Sequence, residues 1–255
     1  MAIEWDDPAL DQSLDELLTG PWRPSGCEGI ERTYCFSRGS DGKTRLQGPE
    51  GEFLPLTKAD PGSSLEMHLQ LYVASQSRKA AFVHAGVVAI EGGALLIPGP
   101  SHSGKSSLVF ALCQLGAHYF SDEYAVVDPQ GLVHPHPRRL SIRGADGVQQ
   151  RLSPFQSGFT VGSEAIPLRG VLLSPFVAGA RWSPQPISRG QAVLRLLENT
   201  VAAQLAPELC LACLSRAVVG AEAHASPRGA ADVAAQAILA YFAASLPQRD
   251  QGQSR

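Results

Sequence analysis

Residues 98–108 read PGPSHSGKSSL, and the fold turns on whether this stretch is a phosphate cradle or a serine-rich turn that happens to spell one. Gly99, four residues, then Gly104, Lys105 and Ser106 satisfy the pattern in which a glycine loop wraps its N–H groups around a polyphosphate. The chain has four lysines and Lys105 is the only one after residue 80, so a mere turn leaves it unexplained. GALLIPG before the loop is a strand-like apolar run. KSSLVFALCQLG after it spaces Leu108, Leu112 and Leu115 along one helical face, with Gly116 as a stop. A strand, a tight glycine loop and a helix starting at Lys105 are the context a phosphate cradle requires.

The chemistry follows from that geometry. The first turn of a helix carries N–H groups without intrahelical partners, and a glycine turn adds more of them around one point. Gly99, Ser101, His102, Ser103, Gly104, Lys105, Ser106 and Ser107 are therefore the candidate nucleotide contacts, although His102 and the flanking serines also fit plain loop decoration. Lys105 supplies a cation for the β- and γ-phosphates, and the Ser106 hydroxyl is a candidate Mg²⁺ ligand. Downstream, HYFSDEYAVVD places Asp122 and Glu123 between two strand-like runs. Paired carboxylates there can divide the tasks of holding the metal and accepting a hydroxyl proton; the alternative is a solvated turn. His84, inside AFVHAGVVAI, has Gly86 two positions on, which permits close backbone approach. Its imidazole can orient Asp122 or meet phosphate charge, or it is a satisfied core histidine. GLVHPHPRRLSIRG is the densest basic stretch, with Arg138, Arg139 and Arg143, and its prolines favour an extended loop that presents Arg138 and Arg139 to phosphate, to a carboxylated acceptor or to solvent.

Around this centre, a helix is expected at about 63–77, a hairpin within ERTYCFSRGSDGKTRLQG, and an acidic amphipathic helix over residues 1–20. PLRGVLLSPF reads as a core strand and VAGARWSPQPISRG as a long loop able to act as a substrate lid. QAVLRLLENTVAAQL reads as a helix with Ala192, Leu196 and Leu197 inward, and 207–245 as alanine-rich helix broken near SPRGA. Residues 1–80 form a small N-terminal α+β region, 81–245 a catalytic domain and 246–255 a disordered tail. Twenty-one basic against twenty-four acidic residues create no global field for nucleic acid or anionic lipid. No apolar run is long enough to span a bilayer, and no secretory signal opens the chain, so a cytoplasmic protein is expected. Five cysteines fit that compartment. Cys210 and Cys213 share one face of an apolar helix, where packing is favoured over redox or zinc use.

With FVHAGVVAIEGGALLIPGPSHSGKSSL followed by SDEYAVVD, residues 80–240 resemble the catalytic domain of HPr kinase/phosphorylase and its relatives. The resemblance implies an α/β fold: a mixed-sheet, phosphoenolpyruvate-carboxykinase-like P-loop core. It implies an ATP- and Mg²⁺-dependent kinase in which Asp122 is the general base with His84 beside it, Lys105 holds phosphate, and Ser106, Asp122 and Glu123 hold the metal. The acceptor so implied is a serine of a small protein or peptide. A small hydroxylated metabolite, or a nucleotide-binding accessory role without transfer, are the alternatives, and self-association is compatible with either. The sequence departs from the family pattern at Pro100, His102 and Ser107, and has Asp-Glu where Asp-Asp is usual.

Overall fold

In a computed structural model, residues 2–5, 32–41, 43–54, 56, 61–101, 103–143 and 149–244 are described. The chain divides into two compact units, Met1–Gln76 and Ser77–Arg255.

The first unit is a four-stranded sheet, β1 (Ala2–Trp5), β2 (Thr33–Arg38), β3 (Thr44–Gln47) and β4 (Phe53–Leu54), with one helix, α1 (Pro61–Gln76). The expected hairpin is β2–β3, paired antiparallel from Cys35↔Gln47 to Arg38↔Thr44. Tyr34, Phe36 and Leu46 point from one face of the sheet, by the two-residue period of a strand, onto Leu65 and Leu69 of the helix. The expected N-terminal helix is corrected at its start. Ala2–Trp5 is a strand because it pairs parallel with Thr33–Phe36, so that its backbone bonds are made across the sheet. Residues 6–20 of that expectation lie outside the described residues.

The second unit is organised by two strands buried on both faces, β5 (Ala81–Ile90) and β6 (Gly93–Pro98). Continuous Val/Ala/Leu/Ile runs of this kind form strands only when both faces are covered. Ala81, Val83, Ala85, Val87, Ala94 and Leu96 enter one core with Leu196 of α3 (Arg189–Glu198) and Cys210, Cys213 and Leu214 of α4 (Pro207–Ala217). Val88, Ile90, Leu95 and Ile97 enter the other with Leu108, Val109 and Leu112 of α2 (Lys105–Gln114) and Ile238 and Phe242 of α5 (Ala231–Ala244). The two cysteines of the C-x-x-C are thus packing residues, buried and unbridged.

Around β5 and β6 the sheet continues as β7 (His118–Ser121), β8 (Tyr124–Val127), β9 (Leu132–His134), β12 (Ile166–Leu173), β13 (Gln185–Pro186) and β14 (Glu222–Ala225), with a separate hairpin of β10 (Leu140–Arg143) and β11 (Gln149–Leu152). The order is β13-β14-β12-β6-β5-β8-β9, and β12 also pairs with β9, so five strands close on themselves. β6 lies antiparallel to β5 and parallel to β12, and β12 parallel to β14, which makes the sheet mixed as expected. Two details depart from the sequence reading. Glu222–Ala225, expected to be helical, is a strand because β12 offers it an edge, Gly170↔Glu222 to Leu173↔Ala225. Leu115, expected inward, is exposed because α2 ends at Gln114 and the chain turns at Gly116, whose φ of 100° is left-handed. Among the described residues no helix is long and apolar enough to cross a membrane.

Candidate functional site

The strand-to-helix turn at 98–108 is positioned by its neighbours. β6 ends at Pro98 and α2 begins at Lys105 after Gly104, whose φ of 84° and ψ of 14° favour glycine. The first intrahelical bond runs from the Leu108 amide to the Gly104 carbonyl, which leaves the amides of Lys105, Ser106 and Ser107 without acceptors inside the helix. A Cβ on Gly86 would lie 2.5 Å from Val109 Cγ2, so the absence of a side chain there lets α2 rest directly on β5. His84 is two residues earlier and therefore on the same face of β5, which brings its imidazole toward the start of α2.

The acidic pair arrives from the same strand. β5 pairs with β7 along one half and with β8 along the other, so the Asp122-Glu123 connection between them lies beside its middle; the Ala85 amide donates to the Glu123 carbonyl at 3.1 Å. Together these elements enclose a cleft of about 590 Å³. Its lining includes His84, Ser101, Gly104, Lys105, Ser106, Ser107, Asp122 and Glu123, which brings most of the sequence candidates into one space. Gly99 and Ser103 shape the loop instead. The Gly99 and Pro100 carbonyls accept from Lys105 Nζ at 2.9 and 2.8 Å, and the Ser103 carbonyl accepts from the Phe176 amide at 3.3 Å. His102 lies outside the described residues.

Charge in the cleft is unevenly solvated. Asp122 is 6 % exposed; its Oδ2 accepts from the Ser141 amide at 3.2 Å, while Oδ1 is buried without a partner. Burial pushes its pKa up to about 7, against the downward pull of the nearby Ser106 hydroxyl and the Ser141 amide. Burial also lowers the pKa of Lys105, which Asp122 and Glu123 partly restore. The His84 imidazole is kept below its usual range by burial first and then by the Lys105 cation, with Glu123 opposing both. Such groups, displaced toward neutrality, are what proton transfer near pH 7 requires.

Two expectations need correction. The carboxylate that His84 faces is Glu123, Nε2 to Oε1 3.7 Å, and not Asp122. Arg138 and Arg139 are not among the residues lining the cleft. The Tyr119 hydroxyl donates to the Arg138 carbonyl at 2.7 Å, which fixes that segment, and the Arg138 guanidinium lies 3.8 Å from Glu123 Oε2 with little exposure. The prolines therefore do not present it to solvent. His134 is 2.7 Å from Asp128.

Sequence reasoning missed Ser141, Phe176, Arg228 and Ala231, which complete the lining. Phe176 ends the stretch expected as the PLRGVLLSPF strand, which in the structure stops at Leu173, and Arg228 lies in the SPRGA break, but neither stretch carries a motif of its own. Both reach the glycine loop through long-range pairing. The Arg228 amide donates to the Pro175 carbonyl, the Val177 amide to the Arg228 carbonyl, and Arg228 Nη2 to the Gly104 carbonyl.

Whether the site suits a Mg²⁺-bound triphosphate can be judged from its donors and acceptors. Unpaired helix-start amides, a buried ammonium resting on its own loop's carbonyls, and a buried carboxylate oxygen lacking a partner beside a serine hydroxyl all fit one. Among the described residues no three His, Cys, Asp or Glu side chains gather into a metal cluster.

Among solved structures, the chain is similar to the HPr(Ser) kinase/phosphatase from Coxiella burnetii, at 13 % identity and a TM-score of 0.34, over 64 % of this chain and 95 % of that one. This is a distant likeness. No family model matches the chain, and no curated protein does.

Proposed function

We propose that the second unit is a phosphotransferase that binds ATP with Mg²⁺ and passes the γ-phosphate to a hydroxyl, that of a serine in a small protein or peptide. The observation that carries this reading is the convergence in one cleft of a helix start, Lys105, Ser106 and the buried Asp122 carboxylate. The free amides of the first turn and the Lys105 ammonium bind the phosphates, the ammonium leaving the Gly99 and Pro100 carbonyls to do so. Mg²⁺, held by the Ser106 hydroxyl, would neutralise charge on the β- and γ-phosphates. Asp122, with a pKa near the working pH, accepts the acceptor's hydroxyl proton. Glu123 bridges His84 and Arg138 and fixes the edge of the cleft from which an acceptor enters.

The test is transfer of the label from γ-labelled ATP to serine peptides and hydroxylated metabolites, with release as inorganic phosphate counted separately. Asp122→Asn keeps size and hydrogen bonding but loses basicity, so transfer falls by about 10²-fold or more while Mg·ATP binding stays within a few-fold. His84→Ala gives a smaller loss. Retained transfer in Asp122→Asn rejects the base assignment. A second reading, nucleotide binding without transfer, is favoured by the 6 % exposure of Asp122 and by the turn of His84 toward Glu123. It predicts Mg·ATP binding with no labelled product from any acceptor.

A further inference from the structure

Arg228 is the largest of the fully buried side chains, at 1 % exposure, and it borders the cleft. Among the described residues no carboxylate pairs with it. Nη1 donates to the Gly229 carbonyl at 3.0 Å and Nη2 to the Gly104 carbonyl, while Nε is buried with no partner at all. A guanidinium has five N–H donors, and these two bonds use two of them. The remainder sit in a water-poor wall beside the glycine that ends the phosphate loop. A buried cation without a counter-ion is costly, and a bound anion would relieve that cost. The Phe176 ring packs against the guanidinium, its centroid 5.9 Å from Cζ.

We infer that Arg228 is a phosphate-binding residue of the cleft, using Nε and a free Nη hydrogen to grip a phosphoryl oxygen pair while Nη2 holds the Gly104 carbonyl. The ligand class is a polyphosphate or nucleoside polyphosphate, the planar fork of arginine being matched to two phosphoryl oxygens at once. The inference rests on the nucleotide reading above only for the identity of the ligand. The same contacts tie two distant loops to the anion site. The 175–177 and 226–229 segments are hydrogen-bonded to each other and to Ser103 and Gly104, so an anion on Arg228 is held by three parts of the chain.

The experiment is calorimetric titration of the full chain, wild type, Arg228→Gln and Arg228→Lys, with Mg·ATP and separately with inorganic pyrophosphate. Arg228→Lys keeps the charge and one bond to Gly104 but not the fork, which guards against a variant that fails to fold. Thermal unfolding without ligand checks both. The expected result is binding 10- to 100-fold weaker in Arg228→Gln, about 10-fold weaker in Arg228→Lys, and little change in the unfolding temperature of the lysine variant. Wild-type binding of Mg·ATP with unchanged affinity in both variants overturns the inference and leaves the nucleotide reading standing. Binding of pyrophosphate but not Mg·ATP, weakened in both variants, upholds Arg228 and overturns the nucleotide reading. Binding of neither probe by the wild type overturns both.

Discussion

Asp122 is held in the fold with a pKa of about 7, against an ordinary value of 3.8, chiefly because burial penalises its charge. A carboxyl whose folded pKa lies above its unfolded one binds its proton more tightly in the folded state. Its contribution to stability is then complete below pH 4 and is lost as pH rises through 7. Asp122→Asn removes that loss, so the ligand-free variant matches the wild type near pH 4 and exceeds it by on the order of a few kcal/mol at pH 8. Denaturant unfolding at the two pH values checks this; a variant less stable at pH 8 would contradict the assigned environment. At this scale the sequence was informative where chemistry is local. Lys105, Ser106, Asp122 and Glu123 were legible because short spacings on a strand, loop and helix force them together. Arg228 was not, since it lies 124 residues beyond Gly104 and meets it only through pairing of distant loops. The partner of His84 was also hidden: neighbouring carboxylates in a turn point to different sides, and only side-chain placement decides that the imidazole faces Glu123.

The contact between β5 and α2 sets how the anion site is presented, because Lys105 opens the helix that Gly86 allows to settle on the strand. Gly86→Ala drives a methyl to 2.5 Å from Val109 Cγ2 and has to push the helix away or strain it. A cost of about 1–3 kcal/mol is expected, with weakened Mg·ATP binding as α2 shifts. Val109→Ala in the same chain opens the space and restores much of both. Unfolding curves of the single and double variants measure the coupling; additive losses would show that the close approach is not what Gly86 provides. β5 and β6 are legible as continuous apolar runs and α2 from its period, whereas the helix expected over 191–205 stops at Glu198, where the chain goes over to turns. β14 was not legible, because Glu-Ala-His-Ala has the composition of a helix and becomes a strand only when β12 supplies an edge.

Across the whole molecule, the second unit builds its two cores from residues 81–242, and the first unit has a separate one from Tyr34 to Leu69. The mixed character of the large sheet is implied by the family resemblance and not by the strand runs themselves, which carry no sign of pairing direction. Its closure through β9 and β12 was not legible, since two residue pairs between distant strands leave no periodic signature. The cleft lies within the second unit, lined by side chains from β5, the glycine loop and α2, the β7–β8 turn, and the loops after β12 and β14. Burial in this cleft keeps Lys105 at 7 % exposure beside carbonyls it can exchange for phosphate. The most direct measurement is therefore calorimetric titration of the full chain with Mg·ATP, wild type against Lys105→Ala. Saturable one-site binding by the wild type, weakened at least about 10-fold in a Lys105→Ala protein that still unfolds cooperatively, is the predicted result. Absence of binding by the wild type, or equal affinity in the two proteins, would contradict the account.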